Sequence, residues 1–370
     1  MKRKIFSLFG IVILGLMFSG WGNIGHSIIS EQLLKSVNGK ITGFNSWIPF
    51  IADHSSDPDY RKSWVKSEAS KHFIDIDNYP EFKTSGSINT NIDALIKIHG
   101  EAFVNEQGTL PWATKTAFDS LRHCFEIKDW RHAKLWAADL SHYVGDGHMP
   151  LHLTQNYDGQ ETGNKGIHSR YESKMITAYS DKITGEVRPA GYINDVNSFI
   201  FNYLYRSNRL CVSIFKADNI ARQIAGGTES PEYLSILWKN TSDLTNAQFN
   251  EASYALGSLI YTAWVQAGSP NLNNGILSAT KDKYDCEIIS VYLNRNNTVA
   301  TIKFQIYKKG SYKLDIRNSD GWFALKAGSW DKMPGCYSTN VDISNLSKGN
   351  YLAVMSCANF ASTVKVVKTK

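Results

Sequence analysis

The sequence predicts two units in series: an all-α part over residues 21–270 and a small antiparallel β-sandwich over residues 281–370, joined by a polar connector at 271–280. Three observations predict this. Apolar residues recur at helical spacing through most of the first part, where few stretches alternate as strands do. Gly268-Ser269-Pro270 then stops the last helical pattern. Beyond it come short β-branched runs separated by Asn-Asn, Gly-Ser, Ser-Asp-Gly and Lys-Gly-Asn turns.

In chain order, residues 1–20 read as an export signal. Lys2, Arg3 and Lys4 precede an apolar run too short for a permanent membrane span, and cleavage after Gly20 would make Trp21 the new N-terminus. The protein is therefore expected to be secreted or displayed at the cell surface. Helical periodicity is strongest over 28–37, 92–104, 112–126, 129–144, 195–215 and 246–266. In the last of these, Ala252, Leu256, Leu259, Ile260, Ala263 and Trp264 fall at core intervals. Strands are expected at 288–293, 299–307, 312–316, 341–343, 351–354 and 363–367.

With 42% hydrophobic and 20% charged residues the chain is globular rather than disordered. Its net charge of +6 is unevenly spread. Residues 281–370 carry 14 Lys and Arg against 7 Asp and Glu, whereas 21–280 carry 23 against 27. The basic balance thus belongs to the tail, and no basic stripe with interleaved aromatics marks the helical part as a binder of long duplex nucleic acid. Five widely spaced cysteines, Cys124, Cys211, Cys286, Cys336 and Cys357, define no cystine-stapled miniature fold. Cys286, Cys336 and Cys357 leave room for one disulfide and one thiol.

The chemistry concentrates in Ser141-His142-Tyr143-Val144-Gly145-Asp146-Gly147-His148-Met149-Pro150-Leu151-His152. His142 and Asp146 are four residues apart and share a helix face, so an imidazole and a carboxylate can meet at one cation. Pro150 ends the helix and allows His152 to swing back. His168 and Glu172 repeat the one-face spacing. One such pair is ordinarily a surface or core pair; two pairs with a third imidazole point to metal.

Upstream stand Trp21 with His26 five residues on, Ala52-Asp53, and His72-Phe73. In this order the set resembles the trinuclear zinc phosphodiesterases, a superfamily comprising zinc phospholipases C and the zinc nucleases and 3′-nucleotidases. The resemblance covers the helical part and implies a phospholipase C/nuclease-like helical fold holding three zinc ions. It implies Asp53, His72, His142 and Asp146 at the first zinc, and His152, His168 and Glu172 at the second. The α-amino group and carbonyl of Trp21, His26 and the other oxygen of Asp146 are implied at the third. Asp53 is also the expected proton acceptor for the attacking water. His54, His99, His123, His132 and His148 match no ligand position, and Asp75 and Asp77 read as loop carboxylates. Phe73, Tyr79 and Trp64 are candidate walls of the substrate pocket, with core packing as the alternative for each.

Such a centre suits hydrolysis of a phosphodiester anion. Glu172 and the short interval from His152 to His168 resemble the phospholipase C pattern, and the Trp21 to His26 start resembles the nucleases. A phospholipid substrate is therefore expected, with a short single-stranded nucleic acid or nucleotide as the alternative, and a non-catalytic zinc-holding protein as the alternative of another class. A monomer is expected. The tail, through 341–351 and the final Lys368-Thr369-Lys370, resembles the sorting domains of type IX secretion; a module contacting anionic surfaces and a plain accessory sandwich are the other readings.

Overall fold

A computed structural model of the chain describes residues 21–62, 65–272, 285–318, 323–357 and 361–369. The signal reading of residues 1–20, the connector beyond Leu272, and Trp64 lie outside the described residues. No described helix is long and apolar enough to cross a membrane. The architecture is an all-α part followed by two antiparallel β-sheets.

Three helices position everything else. An N-terminal helix runs Gly22–Val37, a central helix Trp130–Gly147 and a terminal helix Pro231–Gln266. Asp129 caps the central helix by accepting the His132 N–H at 3.2 Å, and Ser230 caps the terminal one by accepting the Tyr233 N–H at 3.2 Å. Pro231 follows at the first helical position, where its missing N–H costs nothing. The terminal helix therefore starts 15 residues before its predicted apolar periodicity, at Pro231 rather than Asn246. Ala252, Leu256, Leu259, Ile260 and Ala263 are in the core as expected. Trp264 is half-buried at its edge, its indole N–H donating to the Pro270 carbonyl at 2.9 Å.

The N-terminal helix is seated between the other two because both present glycine to it. A Cβ at Gly145 of the central helix would meet His26 Nδ1 at 2.8 Å, and one at Gly257 of the terminal helix would meet Ser36 Oγ at 2.4 Å. The predicted helix at 92–104 is broken into Ile92–His99 and Glu101–Glu106 by Gly100, whose φ of 87° ends the first segment. The predicted helix at 195–215 is likewise two helices, Val196–Asn208 and Cys211–Ala225.

The β-part has seven strands: β1 (Cys286–Leu293), β2 (Val299–Ile306), β3 (Gly310–Asn318), β4 (Phe323–Lys332), β5 (Gly335–Asp342), β6 (Gly349–Ser356) and β7 (Ala361–Lys368). They form a three-stranded sheet β1-β2-β5 and a four-stranded sheet β4-β3-β6-β7, antiparallel throughout. Ile302, Phe304, Leu314, Ile316, Ala353 and Met355 are buried between them at alternating positions. Strand β4 escapes sequence reading because it is half-exposed and rich in Ala, Gly and Lys. The Lys368 ammonium donates to the carbonyls of Ile343, Ser344 and Leu346 at 2.6, 3.0 and 2.7 Å, so the end of β7 holds the turn after β5. Thr363 donates to Asp57 at 2.9 Å, and Arg131 pairs with Glu287, joining the two parts.

Candidate metal centre

The central helix buries His142 and Asp146 completely on one face, with His142 Nε2 3.1 Å from Asp146 Oδ2. His142 Nδ1 lies 2.7 Å from the Ser55 carbonyl. A carbonyl only accepts, so Nδ1 carries the proton and the Nε2 lone pair is left to face the cluster. The short 3₁₀ turn Ala69–His72 delivers a second imidazole, His72 Nδ1, 2.8 Å from His142 Nε2 and 3.0 Å from Asp146 Oδ2. Asp59 Oδ1 completes this group at 3.5 Å from His72 Nδ1 and 3.7 Å from His142 Nε2.

Asp146 turns its other oxygen the opposite way. Oδ1 lies 3.5 Å from His26 Nε2 and 3.4 Å from His152 Nδ1. His26, on the N-terminal helix, stacks on His142 with ring centroids 4.0 Å apart, and neither of its buried ring nitrogens has a hydrogen-bond partner. Pro150 opens the turn Pro150–Leu153 that carries His152. His152 Nε2 in turn lies 3.2 Å from both His168 Nε2 and Glu172 Oε2, with His168 Nε2 and Glu172 Oε2 2.8 Å apart. His168 and Glu172 flank the point where the short helix Ile167–Ser169 widens into a π-helical turn, Arg170–Met175.

Three groups of ligand atoms thus gather in one buried patch: His26, His142 and Asp146; Asp59, His72 and His142; and His152, His168 and Glu172. Tetrahedral ligands at ~2.0–2.2 Å from zinc stand roughly 3.3–3.6 Å from one another. The spacings here, 2.8 to 3.7 Å, bracket that range. Two unpartnered nitrogens on His26, and two carboxylates, Asp146 and Glu172, whose ion-pair partners are all imidazoles, fit divalent metal, since buried charge and buried polar atoms need partners. One positive group is near, the Lys62 ammonium, 2.6 Å from Asp59 Oδ1.

The electrostatics follow from this crowding. Burial alone would raise Asp146, but His142 and His152 hold it well below the usual carboxylate range. Burial would likewise raise Glu172, and His168 and His152 hold it down. Burial and the neighbouring His142 push His26 down to about 3, and burial with Lys62 does the same to His72. His152 goes the other way, up to about 10, because Asp146 and Glu172 outweigh its burial. Imidazoles kept neutral are those able to offer a lone pair to a cation.

Of the residues read from the sequence, the structure brings together His26, His72, His142, Asp146, His152, His168 and Glu172. Asp53 is corrected. It is exposed on the last turn of the helix Ile48–His54 and joins none of the three groups. Ser55 and Ser56 turn the chain there, and the next helix, Asp57–Arg61, aims Asp59 inward instead.

Tyr79 is also corrected. It is wholly buried, edge-on to His99 and Phe103 with centroids at 5.6 and 5.4 Å, and belongs to the core rather than to a pocket wall. Phe73 is half-buried beside His72. Trp21 is fully buried, its indole N–H donating to the Gly145 carbonyl at 2.8 Å and its ring packed 4.6 Å from Phe249. Its own carbonyl accepts the Gly25 N–H at 3.1 Å, so one ligand expected of Trp21 already serves the helix.

Sequence reading missed a second carboxylate, Glu68. It is 2% exposed, accepts the Tyr143 hydroxyl at 2.6 Å, and lies 3.8 Å from His72 Nε2. Burial would raise it, but Arg61 and Lys71 hold it below the usual range. The histidines read as structural are accounted for: His54 pairs with Asp57, His99 with Glu81 and His132 with Asp129, and His148 bonds the Val144 carbonyl. His123 is exposed beside Glu126.

No family model matches the chain, and no curated protein matches it. Among solved structures, the chain is similar to the alpha toxin of Clostridium absonum, at 10% identity over 93% of this chain and 97% of that one, with a TM-score of 0.42. It is similar also to the alpha-toxin of an avian strain of Clostridium perfringens, at 11% identity and the same coverage, with a TM-score of 0.44.

Proposed function

We propose that the chain is an exported zinc-dependent hydrolase of phosphate diesters, of phospholipase C type. The observation that carries this reading is the sharing within the centre: His142 belongs to two ligand groups, and Asp146 turns one oxygen to His72 and His142 and the other to His26 and His152. A carboxylate so placed suits a bridge between cations. Zinc held there would supply positive charge for the phosphate oxygens and a water of lowered pKa.

The chain's own residues do the rest. Asp59 takes over the role expected of Asp53, as the buried carboxylate placed to accept a proton from an attacking water. The Ser55 carbonyl fixes the His142 tautomer, and Glu68 stands where it can orient His72. Glu172 reaches His152 from the π-helical turn, which supports the phospholipase-like ligand pattern read from the sequence. The readings of Trp21 as an N-terminal ligand, of three zinc ions, and of residues 281–370 as a sorting or attachment unit belong to this same proposal.

The test is to load the purified protein with zinc and incubate it separately with phosphatidylcholine, phosphatidylethanolamine and single-stranded RNA, following phosphorylated headgroup and nucleotide release. Headgroup release is the expected result. Release from RNA alone would move the assignment to a nuclease, and full zinc content without hydrolysis of any substrate would make it a zinc-holding binding protein.

A further inference from the structure

Cys286 opens β1 in the three-stranded sheet and is wholly buried. Its Sγ is directed at the Met355 carbonyl, 3.8 Å away on β6 of the other sheet. Cys357 follows Met355 by two residues, and its Sγ donates to Asp285 Oδ2 at 3.4 Å, on the residue next to Cys286. The contacts are reciprocal, each sulfur lying against a residue one or two positions from the other cysteine. The neighbouring Cys357 thiol, together with burial, pushes the Cys286 thiol up. The other cysteines stand elsewhere: Cys124 and Cys211 are buried in the helical part, Cys211 donating to the Pro150 carbonyl at 3.1 Å, and Cys336 is exposed on β5 opposite Gln305.

We propose that Cys286 and Cys357 form a disulfide that staples the two sheets of the β-part together, leaving Cys336 as a surface thiol. The oxidising equivalents come from a small disulfide such as oxidised glutathione. The half-buried Cys357 sulfur, as thiolate, attacks one sulfur of the oxidant, forming a mixed disulfide and releasing one thiol. The Cys286 thiolate then attacks Cys357 Sγ; the intrachain S–S bond forms, the mixed bond breaks and the second thiol leaves. Two cysteine sulfurs are oxidised, one disulfide is reduced, and the two cysteine protons end on the two released thiols. The bridge closes a long loop, the situation in which constraint of the unfolded chain is greatest.

The full chain is incubated with oxidised glutathione, its remaining thiols are alkylated with iodoacetamide without reduction, and the digest is read by mass spectrometry. The expected product is a linked peptide containing Cys286 and Cys357, lighter by two hydrogens than the separate thiol peptides, with Cys336 alkylated. Alkylation of Cys286 and Cys357, or a link from either to Cys336, overturns the proposal. Dithiothreitol should lower the melting temperature of the oxidised β-part by on the order of 10 °C. It should leave the melting of a Cys286→Ala, Cys357→Ala double variant unchanged, and equal shifts in both proteins also overturn the proposal.

Discussion

Asp59 Oδ1 lies 3.7 Å from His142 Nε2, so a carboxylate on a five-residue helix shares a corner with an imidazole of the central helix. Asp53, six positions earlier, faces solvent. The two aspartates therefore separate the contributions of ligand and bystander. Asp59→Asn is expected to lose about one equivalent of zinc by elemental analysis and on the order of 10²–10⁴ in turnover. Asp53→Asn should leave both within twofold. A variant pair with the opposite behaviour would return the role to Asp53.

The two oxygens of Asp146 face different ligand groups. Asp146→Asn should consequently release more than one zinc on dialysis, whereas His168→Ala should release only one. Unchanged metal content in Asp146→Asn would show that its carboxylate bridges nothing.

Behind Glu172, Arg170 donates to Asp218 Oδ1 at 3.0 Å, to the Tyr233 hydroxyl at 2.8 Å and to the Asn164 carbonyl at 3.2 Å. Asp218 has no exposure. Removing the guanidinium strands a buried carboxylate, so Arg170→Met should cost about 3 kcal/mol in urea denaturation, the lower part of the usual range because Arg222 and Asn164 still contact Asp218. Arg170→Met with Asp218→Leu should recover part of that loss.

His148 lies outside the ligand groups and is pushed down to about 4 by burial. Above pH 6.5 it is neutral folded and unfolded alike. As pH falls from 6.5 through about 4, the unfolded chain takes up a proton that the folded one refuses, so stability present at neutral pH is progressively lost, by roughly 3 kcal/mol in all. Urea midpoints at pH 7, 5 and 4 should therefore converge between wild type and His148→Asn as the pH is lowered. A gap that widens instead would reverse the sign.

The residues that were legible are those whose geometry is local. His142 with Asp146, and His168 with Glu172, are close because a helix makes them so, and Pro150 predicts the turn that returns His152. Asp59 was not legible because its position depends on where one short helix stops and another begins. Ala52-Asp53-His54 and Asp57-Pro58-Asp59 compete on equal terms until the turn at Ser55 and Ser56 is known; the proline near the helix start was the available signal. Tyr79 had no local feature separating core from pocket wall. In the β-part, strands with a clean buried face, such as β2 and β3, follow the expected alternation. The edge strand β4 has apolar residues but none wholly buried, and they follow no inward alternation that would reveal it.

The paired glycines make the first helix a wedge whose thickness is fixed on both sides. A single methyl group at position 257, on the flank away from the imidazoles, would have to lift the far end of that wedge, and His26 rides on the same rigid rod. Sensitivity to substitution in this protein is thus expected to follow the seams between helices as much as the candidate ligands, and a silent-looking change in the scaffold is expected to displace His26 from its group.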